Sequence, residues 1–269
     1  MRIRVSLILA FMLLGNGISV AVALEWKGQA VQGALLTGQV ESGARVEAFG
    51  QSIPVMEDGR FLLGLGRKAP AALDVVVIKP NGLRQGYSLT IEQRDYEIQR
   101  IDGLPESQVT PDEQTLKRIR AEAARVRAAR EKRFTAPFFD SGWSWPVTGP
   151  ITGVYGSQRI LNGQPRQPHY GIDIAATTGT PVLAPADGIV TLVEPDLFFS
   201  GGTLIVDHGQ GLSSSFLHLA SIDVELGQQV KRGQTIATVG ATGRVTGAHL
   251  DWRMNWFDQR IDPVLVLEQ

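Results

Sequence analysis

The chain contains four histidines, and all of them lie in its second half: His169, His208, His218 and His249. Histidine is the commonest metal ligand in proteins and the usual acid or base near neutral pH. Cysteine is absent, which excludes thiolate ligands, disulfides and a cysteine nucleophile. The clustering therefore predicts that a site of metal or acid–base chemistry lies in the C-terminal half.

Two of these histidines precede a carboxylate at a spacing that brings both side chains to one place. His169 stands four residues before Asp173, and the intervening Gly171 favours a turn into a strand over a helix. His249 stands two residues before Asp251, and residues two apart project from the same face of a strand. Imidazole and carboxylate groups in this combination are typical ligands of Zn²⁺ with an open position for water.

Further motifs surround these pairs in a fixed order. They are Gly179-Thr180-Pro181-Val182, Val206-Asp207-His208-Gly209, Phe216-Leu217-His218-Leu219, Val230-Lys231-Arg232-Gly233-Gln234, Gly240-Ala241-Thr242-Gly243 and Thr246-Gly247-Ala248-His249-Leu250-Asp251. Together with His-Tyr-Gly-Ile-Asp at 169–173, they make residues 143–263 resemble the zinc peptidases of the lysostaphin/LytM type, family M23. Members of that family cut peptide cross-links in bacterial cell walls.

The resemblance implies a role for each matching residue. His169 and Asp173 occupy the positions of the first two zinc ligands, and His218 and His249 those of two catalytic histidines. Asp251 stands where the family has a third ligand, a histidine, which is a departure from the pattern. An extra carboxylate is expected to weaken the Lewis acidity of the metal and to favour harder ions, so Zn²⁺ is the expected cofactor and another divalent metal stays open.

The mechanism that the resemblance implies uses a metal-activated water to attack the peptide carbonyl. The two catalytic histidines orient this water, accept its proton and stabilise the oxyanion. His208 matches a recurrent His-Gly turn to which the family assigns no ligand, so we expect it to be structural.

Three functional hypotheses follow from this pattern. The first is a metalloendopeptidase that hydrolyses peptidoglycan cross-links. The second is a catalytically impaired relative that binds the cell wall or activates peptidoglycan amidases, and the change at Asp251 motivates it. In the third, the regions before residue 136 hold the enzyme closed until a partner binds.

The N-terminus has the pattern of a secretory signal peptide at 1–23. A basic start with Arg2 and Arg4 precedes an apolar run at 5–14, and Ala21-Val22-Ala23 forms a cleavage site. The run is shorter than the roughly 20 apolar residues that a spanning helix needs. We therefore expect export to the periplasm or the extracellular space, without stable membrane insertion after cleavage. The formal net charge of −1 gives no reason to expect nucleic-acid binding.

The rest of the chain divides into three predicted parts. Residues 25–104 contain short apolar runs and the turn signals Asp58-Gly59 and Asn81-Gly82, which indicate a small β-sandwich that acts as a spacer or docking module. Residues 105–135 form a linker with an amphipathic helix. Residues 136–269 form the M23/LytM-type domain, with strand-like runs throughout. The predicted fold class is thus mostly β, with a sandwich, a linker helix and a C-terminal antiparallel sheet core.

The linker helix is predicted to span residues 111 to about 134, with Thr110 as its N-cap. Its apolar stripe is expected at Leu116, Ile119, Ala123 and Val126. The other faces are basic, which is typical of a solvated linker helix and also compatible with attraction to an anionic polymer or lipid headgroups.

Substrate contacts are harder to assign. Arg253 alternates onto the face of His249 and Asp251, whereas Trp252 alternates away and is expected to be core. Other aromatic and polar residues lie near the motifs in sequence without a predicted catalytic role: Tyr155, Arg159, Tyr170, Asn255 and Trp256.

Overall fold

A computed structural model describes residues 24–101, 112–132 and 134–268. The predicted signal peptide and Thr110 lie outside these ranges. Within the described ranges, no helix is long and apolar enough to cross a membrane.

The N-terminal region forms two antiparallel sheets. The first has three strands in the order β1-β2-β5, and the second has four in the order β4-β3-β6-β7. Their bounds are Glu25–Lys27 (β1), Leu35–Gln39 (β2), Arg45–Ala48 (β3), Gln51–Ile53 (β4), Arg60–Gly64 (β5), Ala72–Ile78 (β6) and Arg84–Thr90 (β7).

Both predicted turns connect antiparallel segments. Gly82 adopts φ +84° in the loop of the β6–β7 hairpin, and Gly59 adopts φ +85° in the turn before β5. A Cβ on Gly59 would come within 2.1 Å of the Val40 carbonyl oxygen, so both the backbone angle and the space at this position require glycine.

A third, small sheet joins the two halves of the chain. It consists of β8 (Ile98–Ile101), β10 (Gln158–Leu161) and β11 (Gln164–Pro165). Strand β8 comes from the end of the predicted N-terminal domain and pairs in parallel with β10, in the segment that leads to His169. The N-terminal region therefore helps to hold the approach to the predicted site.

The linker helix α1 spans Glu113–Glu131. Its N-cap is Asp112, whose side chain accepts a hydrogen bond from the Thr115 amide at 2.7 Å, so the cap predicted at Thr110 is replaced by a residue two positions later.

The buried stripe of α1 also differs from the prediction at one position. Val126 and Ala129 pack against Leu192 and Ile205, whereas Ala123 is exposed. Glu122 is buried in its place because it accepts hydrogen bonds from Arg118 at 2.6 Å and from the Phe198 amide at 2.9 Å. A helix-periodic pattern of apolar residues could not reveal this buried carboxylate.

The C-terminal half is built on a ten-stranded sheet, whose main path is β17-β14-β15-β16-β19-β12-β9. The strands of this half are Ile151–Gly153 (β9), Ile172–Ala175 (β12), Pro181–Leu183 (β13), Gly188–Leu197 (β14), Gly201–Gly209 (β15), Leu212–Ile222 (β16), Gln229–Val230 (β17), Thr235–Val239 (β18), His249–Trp256 (β19) and Gln259–Ile261 (β20). A 3-10 turn at Phe138–Ser141 precedes them, and the short helix α2 at Pro263–Leu267 follows. The predicted mostly β, antiparallel fold class is confirmed.

The two faces of this sheet have opposite characters. Along β19, Leu250, Trp252, Met254 and Trp256 are at most 1% exposed and belong to the core. The alternate residues His249, Asp251, Arg253 and Asn255 project from the other face. Helix α1 packs on this second, polar face, because Leu192, Ile205 and Ser215 align with Arg253 across neighbouring strands.

The core face packs against the N-terminal sheets in one continuous hydrophobic cluster. Gly64 of β5 lies so close to Trp256 that a Cβ would meet the indole at 2.8 Å. A salt bridge of 2.8 Å between Arg94 and Asp262 lies at the same boundary. The N-terminal sheets are thus bound to the back of the large sheet and not tethered beside it.

His208 lies in this core, as expected for a structural residue. It is 0% exposed, and its two ring nitrogens lie 2.7 Å from the Asp187 carbonyl oxygen and 2.9 Å from Ser214 Oγ. Burial lowers the pKa of His208 to about 4 and raises the pKa of the neighbouring Asp207 to about 6. Both groups are therefore neutral in the folded protein at pH 5.

These shifts predict opposite contributions to stability. The His208 contribution is present above pH 6.5 and is lost as the pH falls toward 4, by about 3 kcal/mol in total. The Asp207 contribution is present below pH 3.8 and is lost as the pH rises through 6. In the wild-type protein the two effects partly cancel.

We expect Asp207→Asn to expose the histidine effect. The free energy of unfolding of this variant should rise more steeply between pH 4 and 6.5 than that of the wild type, and His208→Gln should rise less steeply. Urea unfolding at several pH values measures the slopes. Equal slopes for all three proteins would contradict the burial argument.

Candidate metal centre

The pairing of β12 with β19 places two carboxylates next to each other. Asp173 lies directly opposite Asp251 in this antiparallel register. Opposite residues on one face of a sheet have Cβ atoms about 5 Å apart, so both side chains reach the same small volume above the polar face.

His169 completes this cluster from the segment that leads into β12. Its Nε2 lies 3.2 Å from Asp173 Oδ1, and one ligand atom from each of His169, Asp173 and Asp251 lies within 4.8 Å of the others. Two backbone hydrogen bonds hold the segment, from Gly156 N to the His169 oxygen at 2.7 Å and from His169 N to the Ser157 oxygen at 2.8 Å.

Gly171 allows this close approach. A Cβ at this position would lie 2.5 Å from Arg253 Cγ and 2.7 Å from Asp251 Oδ1. No side chain fits there without moving the opposite strand, so the glycine between His169 and Asp173 is required by packing.

The donor atoms of the cluster fit a divalent cation. His169 Nε2 and Asp173 Oδ1 are both buried without a hydrogen-bond partner, and buried polar atoms are rarely left so. Ligands of a tetrahedral Zn²⁺ at about 2.0–2.1 Å are about 3.3 Å apart, close to the observed separation of these two atoms. A cation would thus satisfy both.

Asp251 carries a partner of its own. Arg253 Nε lies 2.9 Å from Oδ1, and Arg253 Nη2 lies 2.5 Å from Oδ2. Burial opposes ionisation of this carboxyl group, yet the charge and hydrogen bonds of Arg253 hold the pKa of Asp251 below its usual value. A carboxylate has about four lone-pair sites, so Asp251 retains acceptor capacity for a metal.

The ion pair changes the charge of the cluster. Asp251 alone would add one negative charge compared with a neutral histidine at the same position. Because Arg253 adds one positive charge beside it, the pair as a whole is neutral. The loss of Lewis acidity expected from the aspartate is therefore offset by the arginine two residues away.

His218 and His249 lie together at the edge of the cluster. Their ring centroids are 4.9 Å apart, and His249 Nε2 lies 3.7 Å from Asp173 Oδ1. Each Nδ1 lies 2.9 Å from a backbone carbonyl oxygen, that of Thr242 for His218 and that of Gly247 for His249. Since a carbonyl only accepts, Nδ1–H is the donor in both contacts, and the neutral form of each ring then carries its lone pair on Nε2.

The backbone at His218 is unusual. The residue adopts φ +65° within β16, a left-handed angle that is uncommon for residues other than glycine. Its amide donates to the Ser200 carbonyl at 2.8 Å, which anchors the kink. The result is an imidazole placed away from the regular strand alternation, toward His249. Burial lowers the pKa of His218, so the ring is neutral at pH 7.

The remaining sequence expectations can be located in the same structure. Trp252 is 0% exposed and lies in the core as predicted, and Arg253 reaches the site through Asp251. Tyr155 is also buried, and its hydroxyl donates to the Arg260 carbonyl, which agrees with the absence of a predicted catalytic role.

Sequence reasoning missed two arginines on this face, Arg130 of α1 and Arg260 of β20. Arg130 is distant in sequence from the motifs, and Arg260 follows the last motif residue, Asp251, by nine residues. Only the packing of α1 and the β19–β20 pairing bring them near Arg253.

The family profile of peptidase family M23 matches residues 167–263. Over most of its length, the structure is similar to the crystal structure of an M23-family protein from Pseudomonas aeruginosa. The TM-score is 0.70, and the sequences are 33% identical over 89% of this chain and 95% of that one. The chain belongs to peptidase family M23.

Curated relatives differ in what their names describe. This chain is 44% identical over 114 residues to the peptidoglycan DD-endopeptidase ShyB of Vibrio cholerae, covering 42% of this chain and 24% of that protein. It is 31% identical over 129 residues to the murein hydrolase activator NlpD of Escherichia coli, covering 48% of this chain and 32% of that protein. The chain thus spans a quarter to a third of the length of these relatives.

We predict that Arg253 and a metal stabilise the same carboxylate. Arg253→Gln leaves Asp251 buried without a positive partner in the metal-free protein, which should cost about 3 kcal/mol of unfolding free energy. Zinc should then raise the Tm of Arg253→Gln more than that of the wild type, because it supplies the missing positive charge. Thermal unfolding in chelator and in excess Zn²⁺ measures both effects.

Arg253→Lys is the matched control, since it keeps the charge and loses the bidentate geometry. It should lie between the wild type and Arg253→Gln. A zinc-induced Tm shift that is the same in all three proteins would show that Asp251 does not contact the metal.

Proposed function

We propose that this protein is a metal-dependent endopeptidase that hydrolyses peptide cross-links of bacterial peptidoglycan. The observation that carries the proposal is the position of two histidines, each with Nδ1 on a backbone carbonyl oxygen, beside a three-residue cluster with cation-binding donors. A damaged site would be expected to lack several of these groups, whereas here every position holds a residue able to act.

In this proposal, His169, Asp173 and Asp251 would hold a Zn²⁺ ion, which would supply a Lewis acid for the scissile carbonyl and for water. Another divalent cation with oxygen and nitrogen ligands is compatible with the same donors.

His218 and His249 perform the proton transfers. Their Nδ1–H groups are fixed on backbone carbonyls, so Nε2 of one ring accepts a proton from the attacking water and returns it to the leaving amine. Nε2 of the other ring accepts a hydrogen bond from the same water and orients it for the attack. The fixed tautomers keep both rings oriented for these steps without reorganisation.

A cleft beside the cluster offers room for the peptide. It is lined by His169, Asp173, Glu97 and the strand β9. Strand β9 ends the main path of the sheet, and Ile151 and Val154 at this edge are 46% and 49% exposed. An extended substrate can pair with such an edge by backbone hydrogen bonds.

The proposed location is the periplasm or the extracellular space, where peptidoglycan is the partner. Support comes from the signal-peptide pattern at 1–23 and from the similarity to ShyB and NlpD. The proposed role of the described N-terminal sheets is to support the back of the catalytic sheet.

A second candidate function is the activation of a cell-wall amidase. The Asp251–Arg253 ion pair favours it, because Arg253 already binds the carboxylate that stands in place of the usual histidine ligand. The similarity to the activator NlpD supports it as well. In this case the polar face of the sheet would bind a protein and not a metal.

We expect the full-length mature protein, loaded with Zn²⁺, to cleave cross-linked muropeptides, and chelation to abolish the cleavage. His249→Ala and His218→Ala should lower kcat by about 10²- to 10⁴-fold while the bound zinc, measured by atomic absorption, stays stoichiometric. Muropeptide products are followed by liquid chromatography. Glu225→Ala, on an exposed turn, is the control and should match the wild type.

Two results would refute the endopeptidase. One is unchanged muropeptides when a known M23 enzyme digests them in parallel. The other is a folded, metal-free protein that accelerates an amidase on the same substrate, which would establish the second candidate function.

A further inference from the structure

Three arginines lie together on the polar face of the large sheet, just beyond the metal cluster. Arg253 projects from β19 two residues after Asp251, and Arg260 lies on β20 opposite Asn255 of β19. Arg130 reaches the same place from the last turn of α1. We refer to Arg130 and Arg260 as the arginine pair, because Arg253 already has Asp251 as its partner.

Arg130 is held in place by one weak contact. Its Nη2 donates to Ser215 Oγ at 3.1 Å, and Ser215 lies opposite Arg253 in the β16–β19 register. Its Nε is buried and has no hydrogen-bond partner. A guanidinium group has five N–H donors, so most of the binding capacity of Arg130 is unused.

Arg260 is positioned by neutral groups. Its Nη1 donates to Asn255 Oδ1 at 2.9 Å, and its Cζ lies 5.8 Å from the ring centroid of Tyr170. Tyr170 directly follows His169, and Asp251 is among the charges that act on Arg260, so the guanidinium group lies near the metal cluster.

Neither member of the arginine pair forms an ion pair with any residue in the described ranges, whereas Arg253 does. Burial, and then the charges of neighbouring arginines, lower the pKa of Arg130 to about 9 and that of Arg260 to about 10, although Asp258 near Arg130 and Asp251 near Arg260 act in the opposite direction. Both remain charged at pH 7. The side chains keep partial contact with solvent, so a ligand can reach them.

Grouping like charges in a partly buried place is unfavourable without an anion. The arrangement costs stability in the free protein, and a bound anion would offset that cost with charge-assisted hydrogen bonds. Arg130 on a helix and Arg260 on a strand approach the space between them from different elements, so an anion that binds both would be fixed in position relative to the metal cluster.

We propose that Arg130 and Arg260 form a subsite that binds a free carboxylate of the peptide substrate, next to the bond that is cleaved. The identity of the ligand as a peptide rests on the proposed function. Carboxylate is the anionic group that peptides carry, and the planar fork of a guanidinium group matches it. The subsite would thus select cross-links that have an unamidated carboxylate.

The test compares two synthetic cross-linked peptides that differ only in a carboxylate or a carboxamide beside the cross-link. Their binding to the full-length mature protein is measured by calorimetry in chelator, where no cleavage takes place. We expect the wild type to bind the carboxylate form about tenfold more tightly. Arg130→Gln and Arg260→Gln should each lose most of this preference.

Two kinds of variant control the result. Arg130→Lys and Arg260→Lys keep the positive charge and should retain part of the preference for the carboxylate peptide. They thus separate the loss of charge from a defect in folding. Arg127→Gln removes an exposed arginine one turn earlier on α1 and should leave it unchanged. A wild type that binds both peptides equally, or a preference that survives both glutamine variants, would overturn the subsite.

Cleavage of the same two peptides by the zinc-loaded protein separates this proposal from the proposed function. Carboxylate-dependent binding without cleavage would support the subsite and refute the endopeptidase. Cleavage at equal kcat/KM for both peptides, unaffected by the glutamine variants, would support the endopeptidase and refute the subsite.

Discussion

The site depends on the antiparallel register between Ile172–Ala175 and His249–Trp256. This register puts Asp173 opposite Asp251, and a shift of Ile172–Ala175 by one residue would send the Asp173 carboxylate into the core. The alternate residues Trp252 and Ile174 prevent that shift, because they are buried in the hydrophobic core. The hydrophobic face thus fixes the geometry of the polar face.

The Asp251–Arg253 ion pair is the main chemical feature that distinguishes this site. A carboxylate and a guanidinium group two residues apart in one strand share a face. Their combined charge is zero, so the environment of a metal would remain close to that of a site with a neutral third ligand. The same pair also explains how a buried carboxylate is tolerated without metal, which keeps both candidate functions compatible with one fold.

Helix α1 links the N-terminal half to the polar face. Glu122 accepts the Phe198 amide, Arg125 pairs with Glu194 at 2.6 Å, and Arg130 reaches Ser215. Most of its basic residues are therefore exposed to solvent or form ion pairs with nearby acids, whereas Arg130 lies close to other arginines. Arg125 of this helix forms an ion pair and Arg130 does not, so charge pairing does not explain the position of Arg130.

The sequence alone determined the family, the mostly β class and the five residues now found together, since ordered motifs and strand alternation are local properties. Tertiary structure decided what those residues contact. The bond between Asp251 and Arg253 could be anticipated from alternation, but the orientation of the His218 ring depends on the Thr242 carbonyl, which the loop between Thr235–Val239 and His249–Trp256 brings to it. Arg130 and Arg260 are 130 residues apart in sequence, and only the packing of a helix on a sheet places their charges in one site.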